Sequence, residues 1–65
     1  MNMFENIKKI RENKNLTQAE LAEKTGLTRV TINRIETGTQ KDISASNLNK
    51  IKEALNCTWD DLMRD

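Results

Sequence analysis

The stretch Leu16 to Glu36, LTQAELAEKTGLTRVTINRIE, limits this 65-residue chain more than any other. Thr17 stands three residues before Glu20, the spacing of a capping box, and so predicts a helix start. Gly26 predicts its end, because the residue after a helix usually takes positive φ and glycine does so without steric cost. Thr28 predicts the start of the next helix, which leaves a turn of about three residues. A link that short makes the two helices pack against each other at a steep angle.

That geometry is a helix-turn-helix, and its second helix carries the functional signal. At about 100° per residue, Thr28, Thr31, Ile32 and Ile35 fall on the half expected to face the core. Arg29, Val30, Asn33 and Arg34 fall on the other half. Two guanidiniums, an amide and a branched apolar group suit the edges of bases: Arg pairs with guanine, Asn with adenine, and an apolar side chain meets the thymine methyl. The plainer alternative is a solvated helix face with one stray Val.

Composition narrows the remaining choices. At this length the chain is expected to form one domain over residues 1–65, with a small core. Cys57 is the only cysteine, so no internal disulfide can form, and a reducing cytoplasm is the expected compartment. No signal peptide is visible, and no apolar run approaches the ~18 residues of a membrane helix. The formal charge is +1, but it is unevenly spread. Residues 1–41 hold eight basic and five acidic side chains, while residues 42–65 hold three and five. The basic part contains the helix-turn-helix, and a local positive face can attract phosphate at a net charge near zero.

The other elements follow from the same signals. A first helix is expected from about Met3 to Lys14, with Asn2 and Glu5 at capping-box spacing, Ile7 and Ile10 as its apolar pair, and Asn15 in the left-handed region after it. The second helix packs Leu21, Ala22 and Thr25, and the third runs from about Arg29 to Glu36 and stops at Gly38. The polar loop Thr37–Ile43 leads to Ser44, the expected cap of a fourth helix, about Ala45 to Leu55. Asn56 closes that helix, and Thr58 with Asp61 caps a short fifth one. The architecture is therefore all-α, with five helices. The expected core is Ile7, Ile10, Leu16, Leu21, Ala22, Leu27, Ile32, Ile35, Leu48, Ile51, Leu55, Trp59 and Leu62.

The segments IKKIRENKNLTQAELAEKTGLTRVTINRIETG and LNKIKEALNCTWDDLM resemble the lambda-repressor/Cro-type helix-turn-helix family, also called the XRE family, over nearly the whole chain. The resemblance rests on the small residue Ala22, the turn glycine Gly26 and the apolar positions Leu21, Leu27, Ile32 and Ile35. It implies a compact lambda-repressor-like DNA-binding domain. It further implies that Gln18 contacts DNA phosphate and braces the recognition helix. Arg29, Val30, Asn33 and Arg34 would read bases or nearby phosphates. Thr28 would cap the helix and touch the backbone, Thr31 beside it is a further expected DNA contact, and Lys41 would contact phosphate from the following loop. Arg11 and Glu36 match a largely buried salt bridge with a structural role. The chain departs from the family at Ile43, where Pro is frequent. It is also expected to lack the additional sensing or self-cleaving domain that many relatives carry.

An enzyme is not expected. There is no histidine, Cys57 has no base nearby in sequence, and one cysteine with scattered carboxylates makes no metal-ligand set. No cofactor and no small-molecule substrate are implied. Asp60 and Asp61 read as charge complementing the start of the fifth helix. The expected partner is double-stranded DNA carrying a near-palindromic operator, bound by a transcriptional regulator, more specifically a repressor. A homodimer would use the Trp59, Leu62 and Met63 face. The competing reading is a protein-interaction module of the same fold, antitoxin-like or coactivator-like, whose main partner is a protein.

Overall fold

A computed structural model describes residues 2–40 and 42–65, so Lys41 lies outside the described residues. Five helices follow one another: α1 (Met3–Asn13), α2 (Gln18–Thr25), α3 (Arg29–Thr37), α4 (Ala45–Leu55) and α5 (Trp59–Met63). There is no strand among the described residues. Each helix starts at a side chain that accepts from the backbone N–H three residues on: Asn2, Thr17, Thr28, Ser44 and Thr58. Such a cap satisfies one of the four N–H groups left open at a helix start and is worth about 1 kcal/mol. Thr17–Glu20 and Thr58–Asp61 form complete capping boxes, whereas Asn2 makes the first half of its box, accepting from the Glu5 N–H at 2.9 Å. Gly26 and Gly38 end α2 and α3 at φ 77°, and Asn15 and Asn56 take the same left-handed region at φ 58° and 52°.

The boundaries differ from expectation by one residue in two places. α1 stops at Asn13, and α3 continues to Thr37, whose hydroxyl donates back to the Arg34 carbonyl.

The apolar faces meet in one core. Ile7, Leu21, Ala22, Ile32, Ile35, Ile51, Leu55 and Leu62 are buried, and Ile10, Leu16, Leu27 and Leu48 pack partly buried around them. α2 sits between α3 and α4, while α1 packs against α3 on one side and α5 on the other. α3 is thus held from behind by two helices. Thr25 seals the turn before it, its hydroxyl donating to the Leu21 carbonyl and accepting from the Leu27 N–H.

Trp59 corrects the expected core list, because it is 42% exposed. α5 is only five residues long and turns one large side chain, Leu62, fully inward. Trp59 lies on the outside, with the Lys52 ammonium 5.4 Å from its ring centroid, within cation–π range. Thr28 is a second correction, being exposed rather than core-facing. As a cap it stands outside the helix, where the wheel no longer sets its direction.

Asn6 is a structural residue that the periodicity gave no reason to single out. It is buried, and its side-chain amide donates to the carbonyls of Leu62 and Arg64, both at 2.7 Å. One asparagine thus clips the end of the chain onto α1. Asn6→Ala strands both carbonyls and should destabilise by about 1–3 kcal/mol. Trp59, the only tryptophan, reports on α5 directly. Its fluorescence should change at lower urea in Asn6→Ala than in wild type, and an unchanged midpoint would remove the clip.

The two boxes also set a pH response. Backbone N–H donation from Thr17 and Thr58, followed by their hydroxyl contacts, lowers the carboxyl pKa of Glu20 and Asp61 below the ordinary values of 4.5 and 3.8. A lowered folded value means that the unfolded chain binds protons first on acidification. The stability is complete above the ordinary carboxylate range and is lost as pH falls through the folded values. Glu20→Gln with Asp61→Asn should flatten this acid limb in thermal melts recorded against pH.

Candidate nucleic-acid interface

α3 presents the stripe that its sequence predicts. Arg29, Val30, Asn33 and Arg34 are exposed while Ile32, Ile35 and Glu36 are buried. Val30, at 59% exposure, is apolar surface that solvation alone does not favour. The four side chains, with Gln18 from the first position of α2, line a single depression of about 240 Å³. No carboxylate lines it. Arg29 and Arg34 make no ion pair with the described residues, so their charge is available to a ligand.

The other expected contacts stand differently. Thr28 and Thr31 lie at the N-terminal edge of α3 as a hydroxyl pair, the Thr28 Oγ1 donating to the Thr31 Oγ1 at 2.9 Å. The Thr31 N–H also donates to the Thr28 Oγ1, at 3.1 Å. Thr31 is half-buried behind the stripe, and neither threonine lines the depression. Lys41, the expected loop contact, is outside the described residues.

Behind the stripe is a buried polar network. The Arg11 Nε donates to the Glu36 Oε2 at 2.6 Å, and its Nη2 donates to the Glu36 Oε1 at 3.0 Å. Its Nη1 donates to the Leu16 carbonyl at 2.6 Å. Both charged side chains are almost fully buried, at 9% and 1% exposure. The hydrogen bond to Glu36 raises the Arg11 pKa against the opposing effect of burial. A fork-to-carboxylate pair of this kind is the strong geometry for an ion pair. The Glu36 Oε1 also accepts from the Gln18 Nε2, at 3.1 Å. The Arg11–Glu36 pair was available from the family resemblance. The link to Gln18, eighteen residues away, has no local sequence signal.

Cys57 is half-buried, its Sγ 3.8 Å from the Lys52 carbonyl. Burial pushes its thiol pKa up, which disfavours the reactive thiolate. Among the described residues no cluster of His, Cys, Asp and Glu could hold a metal ion, and no helix is long and apolar enough to cross a membrane.

An all-α bundle with a capped helix pair, a glycine turn and an exposed Arg/Asn/Val stripe defines a class of DNA-binding domain. A helix-turn-helix family model matches residues 7–62. The chain belongs to the helix-turn-helix DNA-binding family of the lambda-repressor/Cro (XRE) type. Among solved structures it is similar to the P22 c2 repressor, described in complex with synthetic operator 9T in the presence of Tl+. The TM-score is 0.86 at 28% identity, covering 98% of this chain and 96% of the repressor chain. No curated protein sequence matches the chain.

Proposed function

We propose that this protein is a sequence-specific double-stranded DNA-binding regulator, a transcriptional repressor of the cytoplasm, that lays α3 in the major groove. The observation that carries this reading is the depression lined by Gln18, Arg29, Val30, Asn33 and Arg34, cationic and without a carboxylate. Arg29 and Arg34 suit guanine edges, Asn33 suits adenine, and Val30 suits a thymine methyl. Gln18 and the Thr28–Thr31 edge border that stripe and suit the sugar-phosphate backbone, and the charge of Lys41 suits a phosphate as well. Such contacts set register, while the stripe sets sequence. The similar P22 c2 repressor is described with a synthetic operator, which supports the same class of partner here. Base reading alone accounts for this site, and no catalytic step is assigned to it.

One module of this size makes few contacts for tight specific binding. The proposal therefore includes a homodimer on a near-palindromic operator, with half-sites about 34 Å apart. Trp59 and Met63, at 42% and 57% exposure, are the apolar side chains for that contact. Leu62 is fully buried and drops out of the surface. Sedimentation that finds a monomer both free and on operator removes the dimer.

Selection of bound duplexes from a random pool tests the main reading. A single enriched motif is expected, bound with log K falling by ~0.9 per phosphate contact as log salt rises. No enrichment and a flat salt response favour a protein partner instead.

A further inference from the structure

We infer that Glu36 is a positioning residue for DNA binding, because its carboxylate decides which way the Gln18 amide faces the duplex. The inference rests on the DNA-binding reading above and adds a residue that cannot itself reach DNA, since the Glu36 side chain is 1% exposed. Glu36 has two oxygens and three donors. Oε2 accepts from the Arg11 Nε, and Oε1 accepts from both the Arg11 Nη2 and the Gln18 Nε2. Held by the guanidinium fork, this carboxylate has only acceptors to offer. Gln18 must therefore turn its nitrogen inward to Glu36 and its carbonyl oxygen to the opposite side of Cδ. One of the two hydrogens on that nitrogen is committed. The other is the single side-chain donor left for a phosphate, at a position set before DNA arrives.

The arrangement lowers the ordering that binding requires. A half-buried glutamine without this bond would sample both amide orientations and several rotamers, and would lose that freedom on binding. Arg11 takes part as well, since its fork fixes the carboxylate and its third contact ties the Leu16 carbonyl just before α2. The chain of contacts runs from α1 through the end of α3 to the start of α2, and joins elements that pack in the same order.

Glu36→Gln distinguishes positioning from mere support. Its new amide keeps an oxygen on the Arg11 Nε and turns a nitrogen toward Gln18, which costs the Arg11 Nη2 its acceptor in both backgrounds of the cycle below. Gln18 then flips to offer its oxygen, and its donor moves away from the phosphate. A cycle of wild type, Gln18→Met, Glu36→Gln and the double variant is measured on the selected operator duplex, at a temperature where circular dichroism shows each to be folded. Gln18→Met should lower affinity roughly ten-fold or more and leave the salt slope unchanged, since a neutral amide releases no counterion. Glu36→Gln should do the same in the Gln18 background and change affinity less than about two-fold in the Gln18→Met background, the strong non-additivity of coupled sites. Equal losses in both backgrounds, or tighter binding by Glu36→Gln, overturn the inference and leave the DNA-binding reading intact. A wild-type chain that binds no duplex overturns both.

If Glu36→Gln does not fold, the free wild-type protein still decides. One Gln18 side-chain amide proton should be shifted downfield and exchange with water more slowly than those of Gln40, the only other glutamine. Indistinguishable shifts and exchange rates for the two residues overturn the inference.

Discussion

Arg11→Met is expected to lower stability by about 3–5 kcal/mol. The substitution leaves the Glu36 carboxylate buried with only the Gln18 amide against it, and it frees the Leu16 carbonyl. A domain of this size has a total stability of ~5 kcal/mol, so the variant should sit near its midpoint at room temperature. Each kcal/mol shifts the melting temperature of so small a domain by ~4–8 °C, and the expected fall is therefore roughly 12–40 °C. Arg11→Lys should recover only part of this, because an ammonium cannot make the two-pronged contact. Arg11→Met with Glu36→Met should be more stable than Arg11→Met alone, since removing both charges removes the unpaired one. Urea midpoints for the four proteins check the series. A loss under about 1 kcal/mol for Arg11→Met is the size of an exposed ion pair and would contradict the burial.

The largest effects on binding are expected from Arg29→Ala and Arg34→Ala. Each should weaken operator binding by about 1–3 kcal/mol and relax base preference at one position. Both side chains are exposed and make no ion pair among the described residues. Their removal should therefore change stability by no more than ~0.5 kcal/mol. Loss of binding with an unchanged urea midpoint is the signature of a reading residue, opposite to that of Arg11→Met. Repeating the duplex selection with each variant shows which position has lost its preference. If both variants bind and select as wild type does, the base-reading assignment of α3 is wrong.

Much of this architecture was legible because its determinants are local. Thr17, Thr28, Ser44 and Thr58 each satisfy an N–H three residues away, a spacing visible in any sequence. Gly26, Gly38, Asn15 and Asn56 all take the left-handed region where a helix must end. α4 occupies its predicted bounds, Ala45–Leu55. The exposed stripe was legible for the same reason, since nine residues of one regular helix carry enough periodicity to separate Arg29, Val30, Asn33 and Arg34 from Ile32 and Ile35.

Where the chain is short or doubles back, periodicity decides nothing. Five residues of α5 cannot tell whether Trp59 or Leu62 turns inward; the surface of α1 and the Asn6 clip decide that. Thr28 and Thr31 appear on the helix wheel as core positions, yet their hydroxyls pair with each other at the rim.

The sequence by itself determined the five helices, their caps and the side chains that face outward from α3, because each depends on neighbours within one helical turn. Only the tertiary structure brought Gln18 against Glu36 and Asn6 against the Leu62 carbonyl. Those contacts join residues 18 and 56 positions apart. They form only when packed helices have already excluded water from the groups involved, and no pattern along the chain encodes that.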